Sequence, residues 1–285
     1  MGRMLGIDVS DNQGYIDWTK VKAAGVQFAI LRSVRRSGNP DKQLASNIKG
    51  CLANNIPMDF YKYSYALSVS EAVAEVKRVV EVLTGYGVRP SKNTVIWMDV
   101  EDATQMALST SALTKIVQAF KEEVLRSGFE FGLYMGKYRY ETGEVNLSTF
   151  DDHTWIARYY NGYNAMDFGI VPNEKYRPVV KSGELWGWQF TSSGRVDGIN
   201  GNVDMNIAYY DIKDTEVEPT YYESPEFTLI DSLNKIGVDS SYKFRKKIAV
   251  VNGIENYSGT AEQNLRMLTM LQEGVLVQAR CGSPC

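Results

Sequence analysis

The sequence predicts an α/β fold: a barrel related to the (β/α)8 architecture, irregular on its later side, followed by a small all-α module. Three observations carry this reading. From residue 4 to about residue 135, short β-branched or apolar runs alternate with helical patterns, as βα units around a parallel sheet do. After Met135 the strand patterns continue while the helical ones fade. Beyond residue 226 the periodicity is helical only.

Strands are predicted at residues 4–9, 27–34 and 57–64. Val73, Val76, Val80 and Leu83 then recur at helical spacing, with Ser70 placed to cap the start and Gly85 just past the end. A fourth strand at 94–100 leads to a helix carrying Leu113, Ile116, Val117, Phe120 and Val124, which Gly128 stops. The fifth strand is predicted at 130–135. Further strands at 154–159, at 185–191 and near Val203 bring the total to about eight, the number that closes such a barrel.

Residues 211–226, DIKDTEVEPTYYESPE, are charged, contain two prolines and lack a hydrophobic period, so they read as a linker. The organisation expected is a catalytic domain over 1–213, a linker over 214–226 and a three-helix module over 227–285. In the module, Phe227, Ile230, Leu233 and Ile236 share a face that ends at Gly237, and Phe244, Ile248 and Val251 define a second helix ending at Gly253. Thr260 and Gln263 fit a capping box for a third, striped by Leu265, Leu268 and Leu271. A unit of this size is marginally stable alone.

Composition narrows the chemistry. With 285 residues, 44% hydrophobic and 23% charged, the chain has an ordinary globular core, and its net charge of −3 provides no basic field for nucleic acid. A single histidine, His153, excludes metal sites built on several imidazoles and disfavours a Ser-His-Asp engine. His153 precedes a strand and reads as structural. Cys51, Cys281 and Cys285 lack zinc or redox spacing, which suits folding in a reducing compartment. The apolar stretch before Asp8 is too short for a signal peptide, and no run is long enough to span a membrane. Synthesis in the cytoplasm without membrane insertion is therefore expected.

Carboxylates remain. In VIWMDVED, Asp99 and Glu101 stand two residues apart, so both point to one face at the C-terminal end of the fourth strand, where barrel enzymes gather their catalytic groups. Asp8 holds the corresponding end of the first strand and Asp204 the end of the last, and first and last strands are neighbours in a closed barrel. Four converging carboxyls raise one another's proton affinity, and a carboxyl protonated near neutrality can be a general acid for glycoside hydrolysis. The same acids could instead hold Mg²⁺ or Mn²⁺ for phosphoryl transfer, or merely cap strand ends. Tyrosine is abundant, at 18, and FYKYSYA, GLYMGKYRY, ARYYNGYN and WGWQF lie at or after strands, where flat aromatic rings could match sugar faces.

The strings DVSDNQG at 8–14, MDVE at 98–101 and WQFTSSGRVDGINGNVDMN at 188–206, in that order within residues 4–212, resemble the lysozymes of glycoside hydrolase family 25. The resemblance implies a flattened, incomplete β/α barrel that cleaves the β-1,4 bond between N-acetylmuramic acid and N-acetylglucosamine in peptidoglycan, without metal or cofactor. It implies Glu101 as general acid and Asp99 as its companion, with Asp8 and Asp204 completing the acidic cluster. Tyr61, Tyr134, Trp188 and Gln189 correspond to groove positions, and Tyr63 of FYKYSYA joins them as a candidate substrate contact. Two departures stand out: Lys62 where many members carry histidine, and RSVRRSG after the second strand in place of an acidic loop.

IGVDSS at 236–241, RKKIA at 245–249 and YSGTAEQN at 257–264 resemble short C-terminal modules on wall hydrolases of Gram-positive bacteria and their phages. The expectation is thus a muralytic enzyme whose tail binds a wall polymer, of phage origin with holin-dependent release, or a bacterial autolysin. A silent wall-binding protein and a tail that serves homo-oligomerisation are the competing readings.

Overall fold

The computed structural model describes residues 3–147, 153–217 and 228–279. Among them the strands are β1 (Met4–Val9), β2 (Phe28–Arg32), β3 (Met58–Tyr63), β4 (Val95–Asp99), β5 (Glu130–Gly136), β6 (His153–Ala157), β7 (Met166–Asp167), β8 (Glu184–Arg195) and β9 (Val203–Ala208). Helices α1 (Trp18–Ala23), α2 (Leu44–Ala53), α3 (Val69–Gly85), α4 (Thr110–Arg126) and α5 (Lys137–Thr142) accompany the first five strands.

Strands β1 to β6 pair in sequence, all parallel. β6 pairs with β8 in parallel, β8 with β9 antiparallel, and β9 with β1 antiparallel, which closes a barrel of β1–β6, β8 and β9 with β7 attached to β8. The reversal of β9 accounts for the absence of a helix between β8 and β9, because an antiparallel neighbour needs only a short connection; the parallel step from β6 to β8 instead runs through β7 and a 3-10 turn at Glu174–Tyr176. The reversal also corrects one expectation: Asp204 lies near the start of β9, not at its end.

Large aromatics fill the barrel, and glycines at the paired positions of neighbouring strands make room for them. A Cβ at Gly132 would come within 2.2 Å of the Trp97 ring, and one at Gly187 within 2.6 Å of Trp155. Trp97 and Trp155 pack edge to face with centroids 5.6 Å apart. Outside, α4 buries Leu113, Ile116, Val117, Phe120 and Val124 as its spacing predicts, and Gly128 beyond it adopts φ +87°. Helix α3 begins two residues earlier than expected: its cap is Ser68 rather than Ser70, and the Ser68 hydroxyl accepts the Glu71 N–H at 3.3 Å.

A second compact unit comprises Val80–Arg89 together with Glu216–Cys285. Within it, Val88 bridges Val217 and the Arg89 N–H donates to Glu216 O at 2.9 Å. Helices α6 (Leu229–Lys235), α7 (Tyr242–Val251) and α8 (Ala261–Gln272) bury Leu233, Ile248, Ile254, Met267 and Leu271 in a common core. The Thr260–Gln263 capping box forms. Leu265 and Ile230 do not join the core, being 62% and 43% exposed; Met267 takes the place expected of Leu265. Of the segment read as a linker, Ile212 and Thr215 are buried and the Thr215 hydroxyl donates to Met58 O, so its first residues are packed chain. Residues 218–226, Phe227, Cys281 and Cys285 lie outside the described residues.

Candidate active site

A cavity of about 530 Å³ opens where the parallel strands end, lined by carboxylates, tyrosines and arginines. Asp8 from β1, Asp99 and Glu101 from β4 and the stretch after it, and Asp204 from β9 all reach it. The parallel strands bring their C-terminal ends here, and antiparallel β9 brings its start, with Asp8 and Asp204 as register partners. The four acids expected to converge do so. A larger cavity of about 850 Å³, lined by Thr110, Lys115, Tyr140 and Lys181 among others, has no carboxylate on its wall.

Asp8 is held from two sides. Asn206 Nδ2 and Gln189 Nε2 donate to the same oxygen, Oδ2, at 2.7 and 3.0 Å. Gln189 Oε1 accepts from Tyr134 Oη at 2.9 Å, and Asn206 Oδ1 accepts from Trp155 Nε1 at 2.9 Å, so both amides are fixed in orientation by a second hydrogen bond. Burial pushes the Asp8 carboxyl up to about 6 despite these donors. Its partner Asp204 is pushed up to about 9 by burial and by the negative charge of Asp8, and is therefore the protonated member of the pair at neutral pH.

Asp99 and Glu101 form the second pair. Burial, then the charge of Glu101, raise the Asp99 carboxyl well above its usual range, and its Oδ1 has no hydrogen-bond partner among the described residues. Glu101 is raised by burial and by Asp8, against the opposing pull of the Arg139 guanidinium. Arg139, on α5, also donates to the backbone carbonyl of Glu101 and so fixes the chain that carries this acid.

The aromatic candidates divide by strand parity. Tyr61, Tyr63 and, two residues on, Tyr65 line the cavity, as do Tyr134 and Gln189. Trp188 does not: it is fully buried and its Nε1 donates to Arg158 O at 2.8 Å. Adjacent residues of one strand face opposite sides, so Gln189 and Trp188 cannot both line one groove. Lys62 likewise stays off the cavity wall: its Nζ pairs with Glu75 at 3.3 Å, donates to Tyr63 O and lies 4.9 Å from the Tyr65 ring. Sequence reasoning missed Arg32, Arg35, Arg36, Trp155 and Tyr159 on the wall, and Asn206 and Arg139 behind it. The RSVRRSG run and the asparagine of VDMN were the available signals. Among the described residues, no three His, Cys, Asp or Glu side chains are grouped so as to hold a metal ion, and no helix is long and apolar enough to cross a membrane.

Comparison with known proteins converges on one family. The sequence model described as Glycosyl hydrolases family 25 matches residues 7–199. The autolytic lysozyme of Clostridium acetobutylicum is 23% identical over 203 residues, which cover 71% of this chain and 55% of that protein. The modular autolysin LytC from Streptococcus pneumoniae superposes with a TM-score of 0.57 at 26% identity, over 73% of this chain and 47% of that one. The chain thus spans about half the length of these relatives. A stretch of 46 residues, 16% of the chain, is 50% identical to part of the L-alanyl-D-glutamate peptidase of Listeria phage A118.

Proposed function

The chain belongs to glycosyl hydrolases family 25, and on that premise we propose that its acid-lined cavity hydrolyses the β-1,4 bond between N-acetylmuramic acid and N-acetylglucosamine in peptidoglycan. The observation that carries the proposal is the second acid pair: two neighbouring carboxyls at the end of β4, both driven toward the protonated form by burial, with one oxygen of Asp99 unpaired.

We assign to Glu101, the more accessible of the two raised carboxyls, delivery of the proton that the departing sugar oxygen needs. The two carboxyls titrate as a coupled pair, and with the pair's proton on Glu101, Asp99 is the negative partner for the positive charge that develops on the sugar ring, directly or by orienting the substrate's own acetamido group. Asp204 keeps its proton and Asp8 is fixed by two amides, so this pair gives the cavity one negative charge rather than two. Once the leaving sugar departs, the ionised Glu101 can draw a proton from water for the second half of the reaction.

The Glu216–Cys285 portion is proposed to anchor the enzyme to a wall polymer. The family match ends at residue 199. A 46-residue stretch shared with a phage peptidase, named for a different bond, suits a role common to wall hydrolases rather than a catalytic one. A phage endolysin, released through a holin, is the origin this combination favours.

Mass spectrometry of fragments from purified peptidoglycan tests the bond assignment, with muramic acid at the new reducing ends as the expected result. Glu101→Gln should lower turnover by about 10² to 10⁴ with the fold intact. Near-parental lysis by that variant would remove Glu101 from the role.

A further inference from the structure

The cavity wall carries positive charge that the proposed hydrolysis leaves unused. Arg32, Arg35 and Arg36 line the same space as Asp99 and Glu101. Their surroundings differ. Arg32 is neutralised by ion pairs to Asp11 and to Asp41. Arg35 is built into a tight hairpin: its N–H donates to Asn39 O at 2.9 Å, Gly38 N donates to Arg35 O at 3.0 Å, and Val34 bridges Pro40. That hairpin presents Arg36, whose guanidinium carbon lies 4.7 Å over the ring of Tyr65. Tyr65 is itself braced by the Tyr63 ring at 4.8 Å and by Lys62 Nζ at 4.9 Å.

Arg36 is exposed and forms no ion pair with a carboxylate among the described residues. Its field reaches Asp102, which is held low chiefly by hydrogen bonds from Thr104 and only secondarily by Arg36. A guanidinium laid on an aromatic ring is fixed in orientation while its N–H fork stays available, and that fork matches carboxylate and phosphate oxygens. A glycan whose muramic lactyl carboxyls are tied up as neutral amides has no group that would use it. Stem-peptide carboxylates and the phosphodiesters of wall polymers do.

We propose that Arg36, seated on Tyr65, forms a subsite for an anionic substituent of the glycan, a carboxylate or a phosphate, and so selects charged wall glycan over uncharged glycan. The inference rests on the peptidoglycan reading above and deepens it.

Release of reducing ends is measured for the full-length enzyme and for Arg36→Gln, Arg36→Lys and Arg36→Glu. The substrates are wall fragments with free stem carboxylates, the same fragments with those carboxylates amidated, fragments stripped of phosphodiester-linked polymer, and peptide-free glycan strands whose lactyl carboxyls are amidated to leave them uncharged. The wild type should prefer the charged fragments. Arg36→Gln should lower kcat/KM on them by about 3- to 10-fold, through KM, as loss of a rim charge pair does. Arg36→Glu should lower it further and Arg36→Lys restore part of it. If the carboxylate is the ligand, amidation alone abolishes the preference; if phosphate is, only polymer removal does. Equal charged-to-uncharged ratios in wild type and Arg36→Glu would overturn the proposal, as would a pH profile that moves alike on every substrate, since Arg36 would then act only through the acids. A wild type that releases no reducing ends from any fragment would instead overturn the hydrolysis reading and this subsite with it.

Discussion

Asp204→Asn should stabilise the barrel, and do so only above mildly acidic pH. In the folded chain Asp204 titrates at about 9, against 3.8 for an unhindered aspartate. A carboxyl whose folded value is raised imposes no penalty below its unfolded value, and a growing one as pH rises toward the folded value, because the unfolded chain can ionise where the folded chain cannot. At pH 7 the gap that counts runs from 3.8 to 7, which at 1.36 kcal/mol per unit sets a ceiling of about 4 kcal/mol. Solvent relaxation and the tie to Asp8 make about 2 kcal/mol a fairer expectation. An asparagine amide can still donate to Asp8, as the protonated acid does, so the hydrogen bond is kept while the penalty is lifted. Urea denaturation of wild type and variant at pH 4 and pH 7.5 is the assay, with glycan hydrolysis measured in parallel. A gain near zero at pH 4 that grows by pH 7.5, joined to reduced activity, is expected. A gain equal at both pH values, or none at 7.5, would show that Asp204 is ionised in the fold and would refute the shared-proton account.

Arg139→Met should remove the charge that holds Glu101 down, so the alkaline limb of the activity profile should move to higher pH while turnover falls as the Glu101 carbonyl loses its donor. Its pH profile against wild type checks this, and an unmoved limb would be the contrary result. Gly132→Ala should cost about 1 to 3 kcal/mol or more by driving a methyl into Trp97, read as a lower urea midpoint. Activity should survive EDTA; loss that Mg²⁺ restores would favour phosphoryl chemistry instead.

The legible part of the fold was the part written in local periodicity. β1 falls at the residues its apolar run marks, and α4 buries its predicted stripe. The direction of β9 was not legible, because NVDMNIA alternates equally well read either way and direction is decided by the short connection from β8. The acids were found because strand-end position is a local property. Arg139 was not, since its partner is a backbone carbonyl 38 residues away. Trp188 was misassigned by a resemblance that named neighbours Trp188 and Gln189 together, where the pleat separates them. In the segment after Asp211, charge and proline hid the anchoring of Ile212 and Thr215, two side chains in an otherwise polar string.

Closure of the barrel by β1 and β9 sets a schedule for the enzyme's birth. The bonds that hold Asp8 span 181 residues to Gln189 and 198 to Asn206. At about 5 to 20 residues per second of synthesis, Asp8 waits on the order of 10 to 40 s for the strand that completes its surroundings. Until then the emerging chain can assemble βα units but has neither the Asp8–Asp204 pair nor the amides that fix it. A ribosome that stalls before β9 releases a polypeptide without Asp204 and Asn206, so the four-acid cavity exists only in chains that carry β9.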